Sequence, residues 1–241
     1  MNDSNILLTG GTSGVGLSIA RSLTSSHRLV NITRSKPDES VRHFFSGSLE
    51  LDLRSGEQKI KEVLQKLKDR GEKFTGFVSC SGMQKIAPIT NVRESDLLDI
   101  FQLNLFSNVF LLKNMLRLRL LADGASVVFL SSISAERPDV GMAAYSMSKA
   151  AIDNFVKVAA SECADRNIRV NSIRPGLIAT PMIMKERAYT EAFLDAEKLK
   201  YKLGPGKEEY VANLVKFLIS AESYWITGQN ITVDGGRNLN I

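Results

Sequence analysis

The stretch Ile6-Leu7-Leu8-Thr9-Gly10-Gly11-Thr12-Ser13-Gly14-Val15-Gly16 decides the fold. Its apolar start predicts a short buried strand, its glycines a tight turn, and the periodic segment Val15–Ser25 a helix. Glycines let the backbone turn sharply and approach a pyrophosphate closely. The helix N-terminus then offers unpaired N–H groups and a positive dipole to the phosphate charge. A glycine-rich turn alone is a weak signal, but one that follows the first strand and opens the first helix of an α/β chain is strong. Gly10, Thr12, Ser13, Gly14, Val15 and Gly16 are therefore candidate dinucleotide-binding residues.

Working outward, β-type runs recur at Arg28–Thr33, Leu49–Leu51, Phe74–Ser79, Ser126–Ser131, Arg169–Ile173 and Gln229–Val233. Helical periodicity fills Glu57–Arg70, Glu94–Leu121, Ala143–Asp165 and Lys207–Ser220 between them. Seven strands separated by helices predict βαβ crossovers and a Rossmann-type, doubly wound parallel sheet with helices on both faces. Without a long linker or repeat, the reading is a single domain over residues 1–241. The stretch from Pro181 to Pro205 has no strand but carries Met182, Ile183, Met184, Tyr189, Phe193, Leu194 and Leu199, and is read as a helical substrate lid.

The second strand runs out through Arg34-Ser35-Lys36. A carboxylate at that point would accept bonds from adenosine ribose hydroxyls; none is there, and Asp38 comes only after Pro37. Arg34 offers a planar guanidinium to a 2′-phosphate instead, with Ser35 and Lys36 as helpers. Charge-assisted contacts of this kind contribute roughly 1.5–3 kcal/mol each, enough to favour NADPH over NADH.

Downstream, Tyr145-Ser146-Met147-Ser148-Lys149 places a Tyr and a Lys four apart on one helix face, and Ser132 precedes Tyr145 by thirteen residues. Reducing a carbonyl needs a proton at oxygen as hydride reaches carbon. A free tyrosine, with a pKa near ~10, exchanges protons poorly at neutral pH. A neighbouring ammonium favours its phenolate and brings it closer to the working range. Tyr145 is thus the candidate acid in reduction and base in oxidation, and Lys149 its electrostatic partner. Ser132 is a candidate hydrogen-bond donor to the substrate oxygen.

The Gly10/Gly14/Gly16 spacing, Ser132, Tyr-x-x-x-Lys and Asn104 within Phe101-Gln102-Leu103-Asn104 together resemble the compact single-domain branch of the short-chain dehydrogenase/reductase family. The resemblance continues through Arg174-Pro175-Gly176-Leu177-Ile178-Ala179-Thr180-Pro181 and Ile226–Gly236, and so covers nearly the whole chain. It implies that Lys149 holds the nicotinamide ribose and that Asn104 holds a water connecting Lys149 to solvent. It also implies cofactor contacts at Asp52, Leu53, Ser81, Gly82, Pro175 and Gly176, with Ile178 and Thr180 on the carboxamide. Asp52 fits a turn-capping role as well.

Where the family has Asn-Asn-Ala-Gly, this chain reads Ser79-Cys80-Ser81-Gly82. That leaves open whether other bonds take the asparagines' place or the sheet is loosened. The subgroup most resembled is the 3-oxoacyl-acyl-carrier-protein reductases, which implies a 3-oxoacyl thioester substrate and an acyl carrier protein docking at arginines. Arg166 falls at one such position; at the second the aligned residue is Ala122, with Arg117 and Arg119 nearby. Another small carbonyl or alcohol remains the alternative substrate, and a non-catalytic NADPH-binding protein a further one. Family pairing of the two long helices, both rich in apolar residues, implies a homodimer or homotetramer.

Composition fits this reading. The 241 residues are 44% hydrophobic and 24% charged, ordinary for a globular enzyme. A net charge of +5 is carried by scattered residues without aromatic interleaving, which argues against nucleic acid. Cys80 and Cys163 lack spaced partners, as do His27 and His43, so no metal is assigned. With no run of about 18 apolar residues and no leader pattern after Met1, no membrane span is expected and a cytoplasmic location is.

Overall fold

The computed structural model describes residues 4–178, 180 and 190–239, the side chains of 192–194 aside. Seven strands form one sheet: β1 (Asn5–Thr9), β2 (Arg28–Thr33), β3 (Gly47–Glu50), β4 (Phe74–Ser79), β5 (Leu121–Leu130), β6 (Arg169–Pro175) and β7 (Asn230–Val233). Their spatial order is β3-β2-β1-β4-β5-β6-β7, and every neighbouring pair is parallel. The doubly wound expectation holds.

Alternation along the strands explains why both faces are covered. Leu7, Phe77, Val127 and Phe129 join a core with helices α3 (Glu57–Asp69), α5 (Ser107–Arg117) and α6 (Ala143–Cys163). Ile6, Leu8, Val78 and Val128 point the other way, into a core with α1 (Gly14–Leu23) and α8 (Glu208–Ile219). Successive side chains on a strand face opposite sides, so an almost unbroken apolar run is what a sheet buried twice requires. Two short helices, α2 (Glu39–Arg42) and α7 (Glu191–Lys198), complete the frame together with α4 (Glu94–Phe101).

One expectation needs correcting. The segment Glu94–Leu121 does not form a single helix. After α4 the chain widens into a π-type turn over Gln102–Phe106, where the Ser107 N–H reaches back five residues to the Gln102 carbonyl. Helix α5 then stops at Arg117, Arg119 takes a left-handed φ of 56°, and β5 begins at Leu121. Of the expected lid, residues 181–189 lie outside the described residues, α7 supplies a helix, and Ile178 pairs with Gly206 across the base.

The sheet order reverses between β1 and β4. In open α/β sheets ligands bind beyond the strand C-termini at this point. Thr9 pairs with Ser79, and Ser79 with Phe129, so the ends of β1, β4 and β5 lie level.

Candidate active site

The glycine turn leaves β1 at this switch point. Gly10 (φ +69°) and Gly14 (φ +50°) adopt left-handed backbone that other residues enter only with strain. A Cβ on Gly16 would stand 2.1 Å from the Gly10 carbonyl oxygen, and one on Gly10 would stand 2.9 Å from the Ser81 nitrogen. The turn therefore closes tightly against α1 and the β4 exit. Ser13 caps α1 without a side-chain bond, and no acidic residue occupies the first helical turn. A helix end with uncapped N–H groups and no opposing carboxylate suits an anionic pyrophosphate. The residues present fit a dinucleotide, with Thr12, Ser13 and Val15 on the same turn and Ser81 and Gly82 beside it.

Beyond β2, Arg34, Ser35 and Lys36 are all exposed. Ser35, Lys36, Pro37 and Asp38 line a cavity of about 320 Å³ together with Thr12, which joins it to the glycine turn. Asp38 is committed to its own helix: its Oδ1 accepts from the Ser40 N–H at 2.9 Å and the Ser40 hydroxyl at 2.8 Å. Asp52 likewise caps the turn that follows β3, accepting from the Arg54 N–H at 2.9 Å and pairing with the Arg54 guanidinium at 2.7 Å. The bond from Arg54 holds the Asp52 carboxyl below its usual range against the opposing effect of burial, and the Arg34 charge contributes. Leu53 is buried beside it.

The candidate proton-transfer residues converge on the ends of β4 and β5. Tyr145 and Lys149 lie on successive turns of α6, with the Lys149 Nζ 5.6 Å from the centre of the Tyr145 ring. Lys149 is almost wholly buried, and its Nζ donates to the Leu130 carbonyl at 2.7 Å. Burial brings its pKa down to about 8, although the carboxylate of Asp153, one turn further on, pulls the other way. The neighbouring Cys80 thiol is pushed up to about 12 by burial and is not a nucleophile at neutral pH. Ser132 follows β5, and its Oγ accepts from the Ser134 N–H at 3.1 Å, so its hydroxyl hydrogen can be donated elsewhere.

Asn104 is fully buried in the π-type turn. Its amide grips Met83 twice, accepting from the N–H at 2.9 Å and donating to the carbonyl at 2.8 Å, and donates to the Ser148 Oγ at 3.0 Å. Gly82 lies between the two polar groups: a Cβ there would be 3.4 Å from the Asn104 Oδ1 and 3.6 Å from the Lys149 Nζ. Asn104, Lys149 and Gly82 are thus together.

The β6 exit supplies the remaining wall. Gly176 closes onto Tyr201, where a Cβ would meet the ring at 2.7 Å, and the Tyr201 hydroxyl accepts from the Leu177 N–H at 2.7 Å. Ile178 is buried in the core, so only its backbone is presented, and the Thr180 N–H turns back to the Ile178 carbonyl at 2.7 Å. Just before Pro175, Arg174 joins Asp153 on α6 (2.6 Å) to Glu136 (2.7 Å), which follows the Ser132 turn. The sequence reading missed Asp153, Arg174 and Ser148; all three are polar residues within core-facing segments, which is the signal that marks them. Arg166 is occupied by the Asp123 carboxylate at 2.8 Å and the Leu121 carbonyl at 2.6 Å.

Among the described residues no helix is long and apolar enough to cross a membrane, and no cluster of metal-ligating side chains occurs.

Residues 10–238 match a family model described as enoyl-(acyl carrier protein) reductase. The chain is 32% identical over 239 residues to carbonyl reductase family member 4 of Danio rerio, covering 95% of this chain and 96% of that protein. It is 31% identical over 240 residues to a 3-oxoacyl-(acyl-carrier-protein) reductase of Thermotoga maritima, covering 95% and 96%. A crystal structure of a short chain dehydrogenase family protein from Francisella tularensis superposes with a TM-score of 0.86 at 27% identity over 98% of both chains. The sheet order, the glycine turn and the Tyr–Lys pair at one sheet edge have the same explanation as these likenesses: the chain belongs to the short-chain dehydrogenase/reductase family, oxidoreductases that use a nicotinamide cofactor.

Proposed function

We propose that this protein is an NADPH-dependent reductase that interconverts a carbonyl and an alcohol, with a 3-oxoacyl thioester as the first candidate substrate. One observation carries the reading: the buried Lys149 ammonium stands 5.6 Å from the Tyr145 ring at the C-terminal edge of the sheet, beside the glycine turn. The cofactor, when bound, supplies or accepts the hydride. Tyr145 donates a proton to the substrate oxygen in reduction and takes it back in oxidation, and Lys149 favours its phenolate. Ser132 donates its free hydroxyl hydrogen to the same oxygen.

Gly10, Thr12, Ser13, Gly14, Val15 and Gly16 hold the pyrophosphate, and Ser81 and Gly82 border the adenosine ribose. Asp52 and Leu53 flank the adenine. Pro175, Gly176, Ile178 and Thr180 present backbone to the carboxamide, and Lys149 the ribose hydroxyls. Arg34, with Ser35 beside it, selects the 2′-phosphate, a role supported by Asp38 being turned onto Ser40. Asn104 holds Met83 and Ser148 through its side chain, and its carbonyl, which already accepts from the Asn108 amide, keeps a second lone pair for a water on the way to Lys149. Residues 181–205 act as a lid. Exposed Leu98, Phe106, Met147 and Val158 on the α4–α5 and α6 surfaces suit pairing with a second copy of the chain as a dimer or tetramer.

A free small carbonyl is the second reading. It is favoured by Arg166, whose bonds to Asp123 and Leu121 would have to break before it met an acidic carrier protein.

The test follows NADPH oxidation with an acetoacetyl thioester, with NADH in parallel and Tyr145→Phe as control. Turnover with NADPH, little with NADH and none in the Phe variant supports the reading. No turnover with a broad carbonyl and alcohol panel would overturn it. Arg34→Ala should lower the NADPH/NADH ratio of kcat/KM by about ten- to a hundredfold. Carrier-protein docking predicts a higher kcat/KM for the acyl-carrier thioester than for its pantetheine analogue, and equal values favour the free carbonyl.

A further inference from the structure

The missing asparagines after β4 have a replacement. The Ser81 N–H donates to the Thr9 Oγ1 at 3.3 Å, and the Thr9 and Ser79 hydroxyls are 3.1 Å apart. Ser79 gives its hydrogen to the Asn108 Oδ1 in a short bond, so the Thr9 hydroxyl must be the donor to Ser79. The Asn108 Nδ2 donates to the Asn104 carbonyl at 2.7 Å; a carbonyl can only accept, which fixes the orientation of that amide. Asn104 in turn donates to the Ser148 Oγ at 3.0 Å, and Ser148 to the Tyr145 carbonyl at 2.7 Å. Thr9, Ser79, Asn108, Asn104 and Ser148 are each at most 5% exposed. Water does not compete for these bonds, and all donations run the same way, from the β4 exit to the catalytic helix. Such a chain, satisfied throughout, is rigid.

We propose that Asn108 is a positioning residue for the reaction: its bond to the Asn104 carbonyl shapes the π-type turn, and so sets where Asn104 holds Met83 and the Tyr145 turn of α6. The inference rests on the catalytic reading of Tyr145. Asn108 touches no reacting atom. It acts because the π-type turn, which lacks regular α-helical bonds, takes its geometry from side-chain bonds such as this one.

Two substitutions separate the roles. Asn108→Leu removes both bonds at similar volume. Asn108→Thr loses Ser79 but keeps a hydroxyl able to bond the carbonyl four residues back, which is Asn104. With acetoacetyl thioester and NADPH, N108L should lower kcat about tenfold while leaving the KM for NADPH within about twofold; N108T should recover most of the loss. Amide hydrogen exchange at Met83, whose N–H is held by Asn104, should quicken about tenfold in N108L and little in N108T. If N108L does not fold, Ser148→Ala cuts the chain on the far side of Asn104 and should give the same kcat-without-KM loss. Unchanged kcat and unchanged Met83 exchange in N108L, or equal losses in N108L and N108T, would overturn the proposal. Tyr145→Phe keeps the two failures apart: wild-type turnover there sinks the catalytic reading, while Met83 exchange still judges Asn108.

Discussion

Lys149 donates to the Leu130 carbonyl at 2.7 Å from a position with almost no exposure to water. One carbonyl and a carboxylate a turn away replace the full hydration of an ammonium, and its pKa falls from 10.5 to about 8. Between those two values the unfolded chain binds the proton and the folded chain does not, so stability from this group rises with pH across that window and is lost as pH falls through about 8. Lys149→Met should therefore abolish turnover yet melt higher than wild type at pH 7, by at most the ~3 kcal/mol equivalent of the shift. The gap in Tm should close by about pH 10. A Met variant that melts lower than wild type at pH 7 would show that the Leu130 bond outweighs the cost of burial.

Gly82 faces that ammonium and the Asn104 amide at once. Its backbone is not in the left-handed region, and a Cβ would meet both polar atoms at ordinary contact distance, 3.6 and 3.4 Å. Gly82→Ala should fold with stability within about 1 kcal/mol of wild type, since a compatible Gly→Ala site even gains from the stiffer unfolded chain. Its methyl would still stand between the two groups, and kcat/KM should fall by about tenfold or more. A Tm measurement beside steady-state kinetics separates the two effects.

Much of this site was legible because its signals are local. The glycine turn, the Tyr–Lys spacing and the strand end before Ser132 each occupy a few consecutive residues, and backbone geometry makes local spacing informative. The relay from Thr9 to Asn104 was not legible: its bonds join Ser81 to Thr9 across neighbouring strands and Ser79 to Asn108 between β4 and α5, pairs that only the folded chain brings together. The break in Glu94–Leu121 was hidden for another reason. Apolar residues continue through Leu97, Leu103, Leu111 and Leu121, so periodicity shows no end, while the widening is set by bonds made at Asn104 and Asn108. Register decided β3, where Gly47–Glu50 alternates between half-buried and exposed, too weakly apolar to mark its start.

Arg169 provides a stability control remote from the chemistry. It is 7% exposed at the start of β6 and donates to the carbonyls of Leu218 (2.9 Å) and Ser220 (3.1 Å) and to the Ser223 hydroxyl (2.9 Å). A cation at the C-terminal end of α8 meets the negative end of its dipole, which offsets part of the burial cost. Pro175, at the other end of the strand, is about 20 Å away. Arg169→Met should lose about 2–3 kcal/mol, a fall in Tm of about 5–10 °C. Its kcat at 25 °C should stay within about twofold of wild type. A large loss of kcat in a folded variant would contradict the separation.

Glu197 and Arg237 fasten the C-terminal tail to α7. Both are at most 7% exposed, and the Arg237 Nε donates to the Glu197 Oε1 at 2.7 Å while Lys200 takes the second oxygen at 2.5 Å. Burial works to raise the Glu197 carboxyl, but bonds from Lys200 and Arg237 outweigh it and hold its pKa below the usual value. The carboxylate therefore stabilises the fold above the ordinary glutamate range, and that contribution is lost as pH falls through the lowered value. Breaking a buried pair from one side costs about 3–5 kcal/mol where the remaining charge is uncompensated, and less here because Lys200 still bonds Glu197. Arg237→Met should show that loss at pH 7, whereas Arg237→Met combined with Glu197→Leu should recover most of it. Tyr201, three residues after the paired Lys198–Tyr201 turn begins, presses on Gly176, so a loosened tail also frees the β6 exit. Arg237→Met should accordingly raise the KM for NADPH more than it lowers kcat, and the double variant should not restore that KM unless the apolar pair seats α7 as before. Thermal melts and KM measured together on the two variants distinguish a clasp that serves only stability from one that also shapes the cofactor wall.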